Sequence, residues 1–522
     1  NESRSSRHQT SLHMLELYYK PMLKKIHDLL EKLNIPNWLA ILLFVCLLLR
    51  IPSFFEPFYY GDEMIYLTLG QGLRQGVALY SGLHDNKPPV LYLIAALAGS
   101  LVWFKVFLAI ASLISIVLFA KIAGKIFEGK LKTQKVATLL FALLTTLPLL
   151  EGNTANAENF MMAFSLGAIY ILLSKKTLPA GRQVNIKNLL FSGFLFGVSF
   201  LTKVPAIFDL PIIILFWIIT TGLKKDNLIK IIKNSFYITV GFLIPVVLSF
   251  IWYGVGGHLG DYVKAAFMQN VGYVSSWRPG DVQKSFLAKN APLLIRFLVA
   301  SLGIIITFFF HRRLSKPFVL ASVWLMLSLF AVTFSERPYP HYLLQSVGPI
   351  AILLGILFTR QTVEQSLVVI PLFFALFVPV YYKFWYYPTS SYYLRFMKYV
   401  VGVTNKEKYL SGFNKYTPRN YQIADFLLSS SYKKDRVFVW GPDSPIIYAL
   451  SRRISPIKFV ADYHVFDYSS KNEVVKMLSV SKPRFIVITS EAKPFLEITG
   501  LLRQNYLLVN KIDDAEIWSL TN

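Results

Sequence analysis

Trp38-Leu-Ala-Ile-Leu-Leu-Phe-Val-Cys-Leu-Leu-Leu49 is an unbroken apolar run, and how it is read decides the fold. Comparable runs recur at Ile207–Thr220, Ile295–Phe310 and Ala351–Phe358. A run approaching 20 residues matches the roughly 30 Å hydrocarbon core of a bilayer at ~1.5 Å per helical residue. Only helices satisfy their own backbone hydrogen bonds there without closing a barrel. Of the 522 residues, 54% are hydrophobic and only 16% charged, and the mean hydropathy is +0.48. A soluble domain must cover its surface with polar groups and rarely reaches this balance. The chain therefore reads as an α-helical multi-pass membrane protein.

The formal net charge of +25 raises nucleic acid as a partner, but its distribution argues against one. Five lysines fall in Lys121–Lys135; Lys175, Lys176, Arg182 and Lys187 follow, then Lys224, Lys225, Lys230 and Lys233, then Arg312, Arg313 and Lys316. These clusters alternate with gaps poor in basic residues, the positive-inside pattern of membrane proteins. About eleven spans are expected on the length rule, near 38–54, 101–122, 135–151, 158–174, 188–201, 204–221, 236–254, 291–310, 317–334, 343–359 and 366–382. With the N-terminus inside, the segments 55–100, 151–157, 255–290, 335–342 and everything after 383 lie outside. Residues 1–37 are expected as a cytoplasmic segment, with Pro21–Leu33 an amphipathic helix on the membrane surface. The single cysteine, Cys46, lies in the first apolar run, so no intrachain disulfide is possible.

Two regions depart from plain spans and turns. In 55–100, Tyr66–Leu73 and Val90–Ala98 read as short interfacial helices, the second started by Pro88-Pro89. After residue 383, Arg436–Trp440, Arg484–Thr489, Tyr506–Ile512 and Glu516–Leu520 read as strands. Ile423–Ser430, Asn472–Leu478 and Lys493–Leu502 read as helices. The expected organisation is thus a transmembrane domain over 38–382 and a small α/β extracytoplasmic domain over 383–522.

The candidate chemistry lies at the outer mouth. Asp62-Glu63 sits among aromatics in Phe58-Tyr-Tyr60-Gly-Asp-Glu-Met-Ile-Tyr66. Two carboxylates beside a membrane are costly without partners, and a low dielectric raises a carboxylate towards the range of a general base. The plain alternative is an acidic pair capping the helix that begins near Met64. Lys87, ahead of Pro88-Pro89, suits a lipid phosphate or a snorkelling position. Glu158 closes an acidic, base-free turn begun by Glu151, where it can also serve the dipole of the helix it starts. Lys203 interrupts apolar sequence with Asp209 six residues on, a functional candidate by cost alone or a structural pair at the rim. The turn Ser335-Glu-Arg337-Pro-Tyr-Pro-His341-Tyr342 offers Arg337 and His341 for phosphate oxygens. Arg278, in Ser-Trp-Arg-Pro, is a further phosphate or sugar candidate. No HExxH, cysteine cluster, EF-hand spacing or GxxxxGK[ST] cradle is present. No cofactor is expected to be required, although a divalent cation is compatible with the carboxylates.

Tyr60-Gly-Asp62-Glu63-x-x-Tyr66, Gly76-x-x-Leu-Tyr80 and Asp85-Asn-Lys87-Pro-Pro, together with Phe200-Leu-Thr-Lys203 and Tyr339-Pro-His341-Tyr342, resemble segments of the bacterial GT-C glycosyltransferases. That family includes the protein O-mannosyltransferase and aminoarabinose-lipid A transferase groups. The resemblance covers roughly residues 36–380 and implies the GT-C fold. It also implies inverting transfer of a sugar from a polyprenyl-phosphate carrier to a glycan, lipid or protein acceptor, on the outer face of the cytoplasmic membrane. Carried over to this chain, Asp62 is the catalytic carboxylate, Glu63 and Glu158 support it, and Lys87 contacts the donor phosphate. Lys203, Arg337 and His341 join Lys87 on chemical grounds, and Tyr60, Tyr66, Arg278 and Tyr342 are expected at the substrate.

Two other classes compete. A transporter or flippase of lipid-linked sugars is expected to show paired repeats and mid-bilayer polar sites, whereas the acids here cluster at one mouth. A scaffold with the outer domain as its binding part leaves the acidic pair without a role.

Overall fold

The computed structural model describes residues 24–521 apart from 26–27, 29–30, 174–184, 271–284 and 360–361. Most of the expected surface helix over Pro21–Leu33, and Arg278, therefore lie outside the described residues. A helix stands at each of the eleven expected positions: α1 (Asn37–Arg50), then α4 (Leu101–Ile126), α5 (Leu131–Thr146), α6 (Ala157–Leu172), α7 (Ile186–Phe200), α8 (Leu210–Thr221), α9 (Lys225–Val255), α10 (Phe286–Phe310), α11 (Lys316–Val332), α12 (Leu344–Thr359) and α13 (Val369–Tyr381). Between α1 and α4 run α2 (Gly61–Arg74) and α3 (Val90–Ala98). Among the described residues, seven helical stretches are long and apolar enough to cross a membrane, and α6, α7 and α11 are shorter apolar helices. Large apolar side chains such as Ile41, Phe44, Trp252, Phe309 and Leu376 remain exposed on the bundle, as expected where lipid rather than water is the neighbour. The chain is a membrane protein.

The helices approach closely where side chains are small. Gly193 and Gly197 form a G-x-x-x-G stripe on α7 that meets Gly241 on α9. A Cβ at Gly193 would lie 2.0 Å from the Ile238 carbonyl oxygen, and one at Gly241 2.0 Å from that of Leu190. Backbone-to-backbone contact of this kind supplies dispersion where burial from lipid supplies little. At the end of α1, buried Arg50 donates to the Gly152 carbonyl (2.9 Å), the Thr145 carbonyl (3.1 Å) and Ser112 Oγ (2.6 Å). It thereby satisfies carbonyls freed at the end of α5 and fixes the turn that carries Glu151.

The C-terminal region builds a four-stranded sheet of order β1-β2-β4-β3 from β1 (Val437–Trp440), β2 (Phe485–Ile488), β3 (Tyr506–Ile512) and β4 (Ala515–Leu520). The β1–β2 pair is parallel; β4 runs antiparallel to both neighbours. Helices α15 (Thr417–Ser430), α16 (Ser444–Ser451), α17 (Asp462–Tyr468), α18 (Lys471–Ser481) and α19 (Thr499–Asn505) surround it, while α14 (Thr389–Val400) packs by the end of α1, where Tyr393 Oη donates to the Leu49 carbonyl at 2.9 Å. The sequence reading lacked α14, α16 and α17; the last two are short and Tyr-rich or Pro-started, where helical periodicity has too few turns to show. These two helices hold the loop. Thr68 and Gln71 of α2 donate to the Pro445 and Ala449 carbonyls of α16, each at 3.3 Å. Ile65, Leu69, Tyr80 and Tyr92 share one apolar core with Ile423, Val439, Val487 and Ile517. The segment 55–100 is therefore a wedge between bundle and sheet domain, not a free loop.

Candidate active site

At the loop end of the bundle, the turns after α1, α5, α7 and α11 converge. Beside them, the segments before α3 and after α7, α9 and α11 frame a cleft of about 70 Å³, open on one side, lined by Asn86, Lys87, Lys203, Asn270, Ser335, Tyr342 and Gln345 among others. Two lysines from segments distant in sequence thus line one cavity whose other walls are largely apolar.

Asp62 occupies the first turn of α2. Tyr66, one helical turn on, donates its hydroxyl to Asp62 Oδ2 at 3.4 Å, and Lys87 Nζ lies 4.8 Å from the centre of the same ring. Burial, then the charges of Asp62, Asp85 and Glu158, hold the Tyr66 phenol well above its ordinary value. Tyr66 therefore stays a donor to Asp62 at every physiological pH. One tyrosine joins the expected base to the expected phosphate-binding lysine. Lys87 also pairs with Asp85 Oδ2 at 3.7 Å. Its backbone is pinned by Tyr80 Oη donating to its carbonyl at 2.9 Å and by its N–H donating to Tyr92 Oη at 3.3 Å. At the start of α3 the Val90 N–H donates to the Leu201 carbonyl at 3.1 Å.

On the far wall, Lys203 is ion-paired with Glu158 and its ammonium lies 3.7 Å from the centre of the Tyr342 ring. It is within electrostatic range of both Lys87 and Asp62. Behind it, His341 is bonded through Nδ1 to Glu151 and lies 3.8 Å from Glu158 through Nε2. Glu151 also accepts from Tyr60 Oη and Asn156 Nδ2, both at 2.8 Å. Asp62, Tyr66, Lys87, Lys203, Glu158, Tyr342, His341 and Tyr60 are thus brought to one mouth.

Two expected residues stand elsewhere. Glu63 is turned away from Asp62, because neighbours on a helix point about 100° apart. Its carboxylate is fully buried, 2.8 Å from Lys105 Nζ, and accepts from the Ala155 N–H at 2.8 Å. Burial raises its pKa against the opposing pull of Lys105, yet this acid faces protein rather than the cleft. Its place is in a buried ion pair with Lys105 rather than beside the Asp62 carboxylate. Arg337 is exposed on its turn and does not line the cleft. Sequence reasoning passed over Lys105 and Glu56, paired at 2.7 Å inside the protein, and gave no role to Glu151. The signal for Lys105 was a lone cation four residues into an apolar run, which by itself reads as an interface lysine.

The arrangement can hold an anion between two ammonium groups while a carboxylate stands within one tyrosine of them. Among the described residues, no group of three or more His, Cys, Asp or Glu side chains is placed to hold a metal ion.

Comparison with known proteins gives the class. Residues 86–253 match the model of the dolichyl-phosphate-mannose-protein mannosyltransferase family, a stretch that holds Lys87, Glu151, Glu158 and Lys203 but is well under half of the chain. The whole fold matches crystal structures of ArnT from Cupriavidus metallidurans. The form bound to undecaprenyl phosphate has a TM-score of 0.54 and 13% identity, over 92% of this chain and 98% of that one. The apo form has a TM-score of 0.53 and 12% identity over the same shares. The oligosaccharyltransferase AglB from Archaeoglobus fulgidus, in complex with an inhibitory peptide and a dolichol-phosphate, has a TM-score of 0.47 and 11% identity, over 88% of this chain and 70% of that one. Comparison with curated proteins gave no match. The chain has the GT-C glycosyltransferase fold in its ArnT-like form, with a small C-terminal sheet domain.

Proposed function

We propose that this protein transfers a sugar, with inversion, from a polyprenyl-phosphate-linked donor to an acceptor on the outer face of the cytoplasmic membrane. The observation that carries this reading is the cleft that presents Lys87 and Lys203 together, with Tyr66 linking Lys87 to Asp62. The Asp62 carboxylate takes the proton from the acceptor hydroxyl as that oxygen attacks the anomeric carbon. The bond from that carbon to the phosphate oxygen breaks on the opposite face, through an oxocarbenium-like state. The departing polyprenyl phosphate carries the electron pair away, and the two ammonium groups stabilise its charge. Glu158 and His341 hold Lys203 in place, and Tyr342 offers a ring to the sugar. The ArnT relative that binds undecaprenyl phosphate supports a lipid-phosphate donor.

The test is direct. With purified protein in lipid and polyprenyl-phosphate sugars as donor, release of polyprenyl phosphate is followed for wild type and Asp62→Asn. We expect Asp62→Asn to slow release by about 10²–10⁴-fold, the contribution of a general base; equal turnover removes Asp62 from the mechanism. Movement of lipid across vesicles without bond cleavage favours a flippase instead. Sidedness has its own test. Lys415 is exposed and the lone native cysteine, Cys46, is buried, so Lys415→Cys should be labelled in intact cells by a membrane-impermeant thiol reagent. Protection there would put the sheet domain on the cytoplasmic side.

A further inference from the structure

We propose that His464, on the C-terminal sheet domain, is a positioning residue for Lys87, acting through Asp85. The inference rests on the reading of Lys87 as a donor-phosphate group and gives the sheet domain a part in the site.

The geometry is a three-member relay across two parts of the molecule. His464 lies in α17 and its side chain is 3% exposed, with Nε2 3.5 Å from Asp85 Oδ1. Asp85 Oδ1 also accepts the Asn86 N–H at 2.8 Å, while Oδ2 accepts from Tyr92 Oη at 2.7 Å and faces Lys87 Nζ at 3.7 Å. Each carboxylate oxygen thus has a fixed partner set, and the one left for the ammonium is set by the other. His464 Nδ1 is buried with no hydrogen-bond partner among the described residues. An unpaired ring nitrogen costs less than an unpaired N–H, which puts the proton on Nε2, aimed at the carboxylate.

Burial holds His464 below its ordinary pKa despite the pull of Asp85, so a neutral ring stands with Nε2 3.5 Å from the carboxylate. Burial alone would raise Asp85, but Lys87, His464, Tyr92 and the Asn86 N–H together hold it below its ordinary value. The backbone is clamped as well. The His84 N–H donates to the Lys458 carbonyl at 2.8 Å, in a bridge beside Phe459. A domain that only packed on the bundle would have no need to place a buried donor behind the partner of a cleft lysine.

The test uses the full chain in lipid nanodiscs with polyprenyl phosphate as the binding probe and the polyprenyl-phosphate sugar for kinetics. His464→Phe keeps the ring volume and removes the donor. We expect it to weaken polyprenyl-phosphate binding about tenfold, the loss of one polar contact to a charged group, and to lower kcat as well, because Lys87 also stabilises the departing phosphate. His464→Gln, whose amide N–H can reach the carboxylate, should restore most of the affinity. Should His464→Phe fail to fold, His464→Leu or Asp85→Asn supplies the same reading, and the Asp85→Asn/His464→Leu double variant should be no worse than Asp85→Asn alone. Wild-type affinity in His464→Phe, equal losses in Phe and Gln variants, or additive losses in the double variant would each overturn the relay. If wild type itself binds no polyprenyl phosphate, the donor reading falls, and the relay with it.

Discussion

Lys105 sits inside α4 with its side chain fully buried between Glu56 Oε2 at 2.7 Å and Glu63 Oε1 at 2.8 Å. Its ammonium also donates to the Asn153 carbonyl at 2.9 Å, while Asn153 Nδ2 and Tyr392 Oη donate to Glu56. One cation therefore ties the start of α2, which carries Asp62, to the turn that carries Glu151 and Glu158. Removing it leaves two carboxylates buried and uncompensated, which costs more than the intact pair ever contributed. Lys105→Met should destabilise the protein by roughly 3–5 kcal/mol, measured by thermal unfolding in detergent, and adding Glu63→Gln should recover part of the loss. An unchanged melting temperature would show that the network does not hold the two turns. Asp62 and Glu63 make the complementary point, since adjacent letters meet Tyr66 and the core ion pair respectively. The pair was legible as unusual, but which member did what depended on the helical phase of α2 and on Lys105, 42 residues away by the numbering.

At the scale of elements, the bundle's tightest seam is the crossing of α7 and α9. There Gly193, Gly197 and Gly241 let carbonyls lie where side chains would otherwise stand. Gly193→Leu should push the helices apart and destabilise by at least about 2 kcal/mol, seen as a lower melting temperature and aggregation on size exclusion. Gly254→Ala, in the same α9 with nothing within 4 Å of the new Cβ, should be neutral or slightly stabilising. If both glycines tolerate substitution alike, the seam does not depend on close approach. Helix positions were legible from apolar runs alone, because hydrocarbon thickness and backbone hydrogen bonding admit few alternatives. The four strands were legible too, from short β-branched and aromatic runs. The helices α16 and α17 were not, and they are the ones that grip the Asp62–Lys87 wedge.

Over the whole molecule, the wedge and the sheet domain share a core and a cluster of buried titratable groups, which makes their union sensitive to pH. Burial, then the neighbouring His464, lowers His84 to about 3, with Asp85 opposing and Lys458 and Lys264 reinforcing. An unfolded histidine titrates near 6.5. Between about 6.5 and 3, the unfolded chain therefore binds a proton that the folded one refuses, and stability rises with pH. This contribution is complete above about pH 7 and is lost progressively as pH falls below 6.5. Asp85, held below its ordinary value, adds a loss only at more acid pH. The melting temperature should fall from pH 7.5 to pH 5, and His84→Leu should flatten that slope; a slope that survives the substitution assigns it to other groups.

The sequence by itself determined that this chain crosses a membrane many times, where its apolar helices and its strands lie, and which polar residues sit at the ends of spans. Those properties are local: hydropathy over some twenty residues, alternation over five, a charge beside an apolar run. It also carried motif fragments that resemble GT-C glycosyltransferases. Only the tertiary structure decided that Lys87 and Lys203 line one cleft, that Tyr66 joins Asp62 to Lys87, that Glu63 is a core ion pair, and that His464 stands behind Asp85. Such contacts join residues tens to hundreds of positions apart. They depend on helix phase and packing, which no single stretch encodes until all of them are folded together.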